Sequence, residues 1–600
     1  MRTQIQEFRL TVKYRKLGSR RRLGQKGIRH PRVVTMKNTP LSRAASLGLL
    51  TALAVPAPCA PAQDGPFPVS IRVDATKAVG EMKPIWRFFG ADEPNYATMK
   101  DGKRLLSELG GLRPQGVFFR AHNLLCTGDG TPALKWGSTN AYTEDSRGRP
   151  VYNWAVLDNI FDTYRARGVR PYAEIGFMPE ALSTRPEPYQ HEWRPGLKYD
   201  AISTGWSYPP TDYGKWAELV RQWVAHCVER YGRAEVEKWY WEVWNEANGA
   251  AYWHGTPQEF YKLHDYAVDA VRRALPTARV GGADVAGYGG KFMQDFLDHC
   301  ARGRNYATGL TGTPTDFLSF HAKGAPAFAD GHVRLGISAQ LAEISRGFAM
   351  IAAVPELRGK PIVIGESDPD GCAACLGPQL GYRTGTMYSS YTAASLAREY
   401  ALADKYGVNL EGALTWAFEF EDQPYFAGQR VLASNGIDLP VLNVFRMLSR
   451  MGGQRVETTS SGEVPLDAIV RDGVRKAPDV AALASHDQKR ICVLLWHYHD
   501  DDVAGPAASV ALELENLPQG GAARLTEYRI DENHSNAFAQ WKLQGSPAAP
   551  NDVQYERLRL AGALAEAEGS PRSVAVEGTG AHLTISLPRG AVSLVMLEWP

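Results

Sequence analysis

No stretch of this sequence is apolar for long enough to cross a bilayer. The longest such run, residues 44–55, holds about twelve residues where a spanning helix needs roughly 20, and a membrane partner is rejected. Internal repeats are absent, and no low-complexity tract follows residue 62. With 44% hydrophobic and 22% charged residues, the composition fits neither a disordered nor a collagen-like chain. Cysteine is scarce, with seven in 600 residues and six of them beyond residue 62. The one CxxC, Cys372-Ala373-Ala374-Cys375, has no second pair. A structural zinc needs about four ligands and a thioredoxin motif needs its own fold context, so a local disulfide or two plain thiols is expected. No His or mixed His/carboxylate cluster has metal-ligand spacing. Gly281-Gly282 and Gly287-Tyr288-Gly289-Gly290 do not match a dinucleotide fingerprint. Neither a metal nor a cofactor is expected.

Net charge is also nearly absent, but the formal +2 hides two opposed parts. Residues 1–62 carry thirteen Lys or Arg and a single acid, Glu7, leaving 54 basic and 64 acidic groups in residues 63–600. A basic working domain would point to nucleic acid. Here the basic excess sits in a segment that reads as a leader, and nucleic acid is rejected as a partner. From Met36 the chain runs through Lys37 and Arg43, the apolar stretch, and Ala60-Pro61-Ala62 before Gln63. That is a positive n-region, a short h-region and a small-x-small cleavage site. A secretory signal cleaved near Ala62, with a periplasmic or secreted product, is expected; Met36 would then be the start and residues 1–35 an over-extended frame. A twin-arginine signal beginning at Ser19-Arg20-Arg21-Arg22 lacks a prompt apolar run, and Pro58 before Cys59 is a poor lipobox residue.

Six hundred residues exceed one ordinary domain. Between residues 85 and 447, short apolar runs alternate with helical patterns. Strands are expected at 85–90, 116–122, 170–176, 238–244, 278–283, 316–321, 361–365 and 411–418. Helices are expected at 102–109, 154–167, 212–231, 257–274, 290–300, 337–353, 386–406 and 442–451. Eight alternations predict a (β/α)8 barrel, and runs such as Pro361-Ile362-Val363-Ile364 suit parallel strands buried on both faces. From residue 448 to 600 the texture changes to strand-like runs at 490–498, 508–514, 523–530, 582–587 and 592–598, predicting a β-sandwich. Residues 63–84 contain a strand candidate, 69–73, that precedes the barrel and could join that sheet.

In such a barrel the chemistry lies at the C-terminal ends of the strands. The fourth strand runs into Trp241-Glu242-Val243-Trp244-Asn245-Glu246, and the seventh into Ile364-Gly365-Glu366-Ser367-Asp368-Pro369. Glu246 and Glu366 can face each other across the barrel mouth. Glycosidic cleavage needs such a pair, one protonated to assist departure and one ionised on the other face of the ring. His122 and His321 end strands two and six, and Trp416 ends strand eight. The histidines could serve the sugar subsite or the scaffold, and Trp416 could floor a sugar ring or pack the barrel. Glu419 and Asp422 could bind hydroxyls or stay solvated.

With these residues the chain resembles glycoside hydrolase family 39, the retaining β-xylosidases and α-L-iduronidases. The resemblance also rests on Phe89-Gly90 with Asp92-Glu93-Pro94-Asn95, Arg120-Ala121-His122-Asn123-Leu124-Leu125 and Gly412-Ala413-Leu414-Thr415-Trp416. It implies Glu246 as acid/base, Glu366 as nucleophile and Asn245 as the partner of the sugar 2-hydroxyl. A retaining pair should lie about 5–5.5 Å apart. His321-Ala322-Lys323-Gly324-Ala325, Glu366 to Pro369, and Gln429-Arg430 look more like the iduronidase branch, in which the matching Lys and Arg hold the substrate carboxylate. Lys323 and Arg430 could therefore mark uronate recognition, or pair with Asp368 or Asp422 in the walls. The expected activity is an exported, cofactor-free β-xylosidase acting on xylosides or xylo-oligosaccharides. A uronide hydrolase and an inactive sugar-binding protein are the alternatives, and the oligomeric state is left open.

Overall fold

The computed structural model describes residues 65–114, 116–517 and 521–599. The basic extension and the expected signal sequence lie outside them. Eight parallel strands close into a barrel: Phe88–Ala91, Val117–Ala121, Val169–Ile175, Tyr240–Val243, Arg279–Val285, Phe317–Lys323, Pro361–Asp368 and Asn409–Thr415, hereafter barrel strands one to eight. Strand three, Val-Arg-Pro-Tyr-Ala-Glu-Ile, is buried along its whole length, as a strand covered by helices on one side and barrel interior on the other must be. The helices between strands start on local signals. Pro257–Ala274 opens with Thr256 accepting from the Glu259 N–H while the Glu259 carboxylate accepts from Thr256, and Pro257 fills the first helical position.

Two expected strands come out shorter for identifiable reasons. Strand one begins at Phe88 rather than 85 because Lys83-Pro84 starts a turn, with Ile85 N–H donating to the Lys83 carbonyl and Arg87 N–H to that of Pro84. Strand four stops at Val243 because Trp244 takes a left-handed φ of 69°, which ends the ladder. Strands six and seven run beyond the expected 321 and 365 and stay paired through Asp368 and Lys323, across an irregularity between Ile364 and Glu366.

A ten-stranded sheet follows the barrel. The strand Phe67–Glu81 lies inside it, antiparallel to Gln454–Ser460 and parallel to Ala508–Glu515. The sheet continues through Asp479–His486, Arg490–Tyr498, Val592–Glu598 and Gly521–Ile530, and Ala581–Leu587 borders Ala508–Glu515 on the other side. It encloses Val69, Ile71, Val73, Ile491, Val493, Leu495, Leu512, Ile585, Val595 and Leu597 as a core of its own. Along Arg490–Tyr498 the alternate residues Cys492, Leu494, Trp496 and Tyr498 instead join the barrel's core. Period-two alternation thus gives one strand two buried faces, so barrel and sheet share apolar packing. Among the described residues, no helix is long and apolar enough to cross a membrane.

Candidate active site

The end of strand four is shaped by backbone that ordinary residues seldom adopt. Trp244 has φ 69° and Glu246 has φ 45°, conformations costing of order 1–3 kcal/mol each. Neighbouring contacts hold them. The buried Trp244 indole N–H donates to the Tyr252 carbonyl (3.1 Å), and the Glu246 N–H donates to the carbonyl of Asp284 (2.8 Å). Across the mouth, the irregularity before Glu366 passes through Gly365. A Cβ there would lie 1.9 Å from the Asp284 carboxylate, so only glycine fits.

One histidine joins the two glutamates. His321 Nδ1 is 2.7 Å from Glu246 Oε1 and 3.9 Å from Glu366 Oε2, while its Nε2 is 2.8 Å from Asp284 Oδ2. The two glutamate oxygens are therefore no farther apart than the first two lengths laid end to end. That bound leaves room for the roughly 5–5.5 Å that retaining pairs keep. Burial works against charge on His321, but Asp284, Glu366 and its hydrogen bonds overcome it and raise the ring to about 10. Both ring nitrogens then donate to carboxylates. Glu366 is buried too, which alone would raise its carboxyl. Lys323 Nζ at 2.6 Å, the His321 ring and Arg120 at 3.6 Å more than offset this and hold it well below the usual carboxylate range. His122, 3.7 Å away, is kept neutral by burial and by Arg120.

Beneath the pair lies a fully buried guanidinium. Arg120 donates to Glu242 (2.6 Å), to Asn245 Oδ1 (3.0 Å) and to Asp284, and forms an ion pair with Glu174 (2.7 Å). A lone buried cation would be strongly disfavoured; three acceptors and a further carboxylate around one fork make this one stable and fix the strand-four turn through Asn245. Asn245 Nδ2, Arg120 Nη1 and His122 Nε2 are buried with no partner in the protein. Unpaired buried donors and acceptors of this kind are rare in native folds. Here several converge on the space beside Glu366. Two carboxylates on opposite walls, one held ionised and one on a protonated histidine, can attack a carbon from one side while supplying a proton at the other.

A sequence profile described as glycosyl hydrolases family 39 matches residues 69–580. The chain belongs to glycosyl hydrolase family 39. A β-xylosidase of Geobacillus stearothermophilus is 26% identical over 547 residues, 86% of this chain and 93% of the relative. The human α-L-iduronidase is 26% identical over 556 residues, 86% of this chain and 77% of the relative. Among solved structures, a monomeric β-xylosidase from Caulobacter crescentus CB15 superposes with a TM-score of 0.68 at 22% identity, covering 88% of this chain and 99% of its own. The protein is a glycoside hydrolase, and the barrel mouth is where this family 39 fold carries its paired glutamates.

The fold brings His122, Asn245, Glu246, His321, Lys323, Glu366 and Trp416 together. Trp416 lies with its ring 4.3 Å from that of His122 and under the Arg120 guanidinium, 5.0 Å away. It can do so because Gly90 leaves the space; a Cβ there would stand 2.5 Å from the indole. Two residues for which alternatives stood open lie in the walls. Arg430 does not reach the mouth as a free cation: it is fully buried, donating to the Trp416 carbonyl (3.1 Å) and to Asp370, with Asp368 3.5 Å away. Together with Asp368, which accepts from the Trp416 N–H (3.0 Å), it positions that indole. Glu419 also stands apart. It accepts from the Gly436 N–H (2.7 Å), and burial pushes it up to about 7 beside Arg104, Asp101 and Glu421. Asp422 is exposed with a left-handed φ of 60°. Cys372 and Cys375 form a disulfide in the loop after Glu366, whose carbonyls accept from Arg383. Sequence reasoning missed Glu174 and Asp284. Each is a lone acid in or at the end of a buried strand, which was the available signal.

Proposed function

We propose that this family 39 hydrolase is an exported, retaining exo-glycosidase that releases β-D-xylose from xylosides or xylo-oligosaccharides by double displacement. The observation that carries it is the pairing across the mouth: Glu366 is held ionised against Lys323 Nζ (2.6 Å), and Glu246 stands opposite it, the two linked through the His321 ring. In the first step Glu366 bonds to the anomeric carbon as the bond to the leaving oxygen breaks, and Glu246 delivers its proton to that oxygen. His321 Nδ1, 2.7 Å from Glu246 Oε1, orients that carboxyl toward the leaving oxygen. In the second step Glu246 takes a proton from water, whose oxygen displaces Glu366 from the sugar. Asn245 Nδ2, unpaired in the protein, donates to the 2-hydroxyl, a contact that strengthens in the transition state.

Pentose is preferred to uronate because the two candidate carboxylate-binding cations are already engaged. Lys323 bonds Glu366 (2.6 Å) and Asp368 (2.7 Å), and Arg430 is spent in the wall. The β-xylosidase relative is also matched over 93% of its length. Purified protein incubated with aryl β-xyloside, aryl α-arabinoside and aryl uronide sets the sugar: xyloside turnover without uronide cleavage is expected, and the reverse would overturn the pentose reading. Glu366→Ala should abolish turnover and, with azide, yield an inverted glycosyl azide. Glu246→Ala should spare substrates with very good leaving groups and give a retained azide. Exchange of those two outcomes would reverse the roles. Export through cleavage near Ala62 is read from the leader pattern alone, and a mature N-terminus at Gln63 by mass spectrometry would establish it.

A further inference from the structure

Beyond the glutamates, a second group of buried charges borders the same mouth and the reaction steps do not use it. Asp92, one residue beyond strand one, bonds Lys135 Nζ through Oδ1 (2.7 Å), and both side chains are about 3% exposed. The Lys135 backbone N–H donates to the Glu93 carboxylate, its carbonyl accepts from His191 Nε2 (2.9 Å), and its ammonium lies 5.2 Å from the Tyr199 ring. Asp92 is thus fixed from two loops. Its second oxygen, Oδ2, is buried and has no partner. His122 Nε2, also buried and unpaired, is 3.7 Å from Asp92 Oδ1 and 3.7 Å from Glu366 Oε1.

That spacing is informative. At 3.7 Å neither pair is hydrogen-bonded, yet a single hydroxyl oxygen beside the gap can lie within bonding distance of both atoms. His122 Nδ1 donates to Glu174 (2.7 Å) and burial keeps the ring neutral, so the Nε2 lone pair is an acceptor. Asp92 supplies a second acceptor. Lys135 has three ammonium protons and only one bonded partner in the protein, Asp92. Outward from the nucleophile, the row is Glu366, His122, Asp92, Lys135. A ring bonded to Glu366 at its anomeric carbon would place its C3 and C4 hydroxyls along that row.

We infer that Asp92 and Lys135, with His122, clamp the hydroxyls on C3 and C4 of the glycone and so select a sugar with a free vicinal diol. One hydroxyl donates to Asp92 and accepts from Lys135, and its neighbour donates to His122. This clamp rests on the neutral-glycoside reading above and names the part of the sugar that reading leaves open.

The test is steady-state kinetics on aryl β-xyloside and its 3-deoxy and 4-deoxy analogues. Wild type should lose roughly ten- to hundredfold in kcat/KM when a clamped hydroxyl is deleted, the range for one hydrogen bond to a charged group. Asp92→Ala should lose a similar factor on the parent xyloside while its parent-to-deoxy ratio shrinks to within about threefold, as a double-mutant cycle requires of contacting partners. If Asp92→Ala does not fold, Asp92→Asn and Lys135→Met carry the cycle, each with a narrowed ratio expected. Equal wild-type turnover of parent and both deoxy xylosides would overturn the clamp and leave the xylosidase reading standing. So would a deoxy penalty unchanged in folded variants. Cleavage of uronides alone by wild type would remove that reading and the clamp with it.

Discussion

Lys323 is where the charge of the nucleophile and the choice of sugar meet. Its ammonium sits 2.6 Å from Glu366 and 2.7 Å from Asp368, so it neutralises the reacting wall and is not free for a sugar carboxylate. The sign of its effect is determined. Glu366 lies below its ordinary value only because Lys323 and its cationic neighbours outweigh burial. A depressed carboxylate is ionised, and contributes stability, above the unfolded value of about 4.3, and loses both as pH falls through its folded value. Lys323→Met removes the largest of the lowering charges and leaves burial opposed by His321 and Arg120, so the acid limb of kcat/KM should move upward. An unmoved limb would mean that Lys323 does not set the nucleophile's charge. At this scale the sequence was most informative where a residue's meaning is local. Glu246, Asn245 and Glu366 announce themselves at strand ends. Asp284 does not, because its role depends on Arg120, 164 positions away, and on His321. Arg430 was left between mouth and wall for the same reason: a cation after strand eight looks available until Trp416, Asp368 and Asp370 close round it.

Between elements, one buried ion pair joins the barrel to the sheet. Arg398, on the helix Thr386–Tyr406, donates to Asp479 (2.8 and 3.1 Å) and to Glu463, and Asp479 also accepts from the Trp496 indole (2.8 Å). Removing one member of such a pair strands the other, at roughly 3–5 kcal/mol. Asp479→Ala should lower unfolding stability in urea by about that amount, and Asp479→Asn, which can still accept from Trp496, by less. A loss under about 1 kcal/mol, the range of exposed pairs, would place the junction elsewhere. The barrel helices were legible because their apolar stripes and stops are local; Pro257–Ala274 and Thr386–Tyr406 have the bounds their patterns predict. The strands Gln454–Ser460 and Asp479–His486 were not. The first reads Gln-Arg-Val-Glu-Thr-Thr-Ser, with a single large apolar residue, and the second is built largely of alanine and serine. Their strand character comes from the neighbours that pair with them.

At the scale of the whole molecule, the chain ends are interlocked. Phe67–Glu81 fills the gap between Gln454–Ser460 and Ala508–Glu515, so the earliest described strand completes a sheet made from the latest ones. Its pattern suggested membership of that sheet, but no local feature specified a position between those two partners. Such long-range pairing has to wait for most of the chain. A variant lacking residues 65–81 should therefore lose its cooperative thermal transition and aggregate, since two strands would lose their ladder partner and the sheet core would open. A soluble variant with wild-type unfolding would contradict that account.

The central claim is that Glu246 and Glu366 act as a retaining pair. Proton NMR of the wild-type enzyme acting on an aryl β-xyloside tests it most directly, by identifying the anomer of xylose released before mutarotation. The account predicts β-xylose as the first product, with the α-anomer growing in later. α-Xylose as the first product would contradict it.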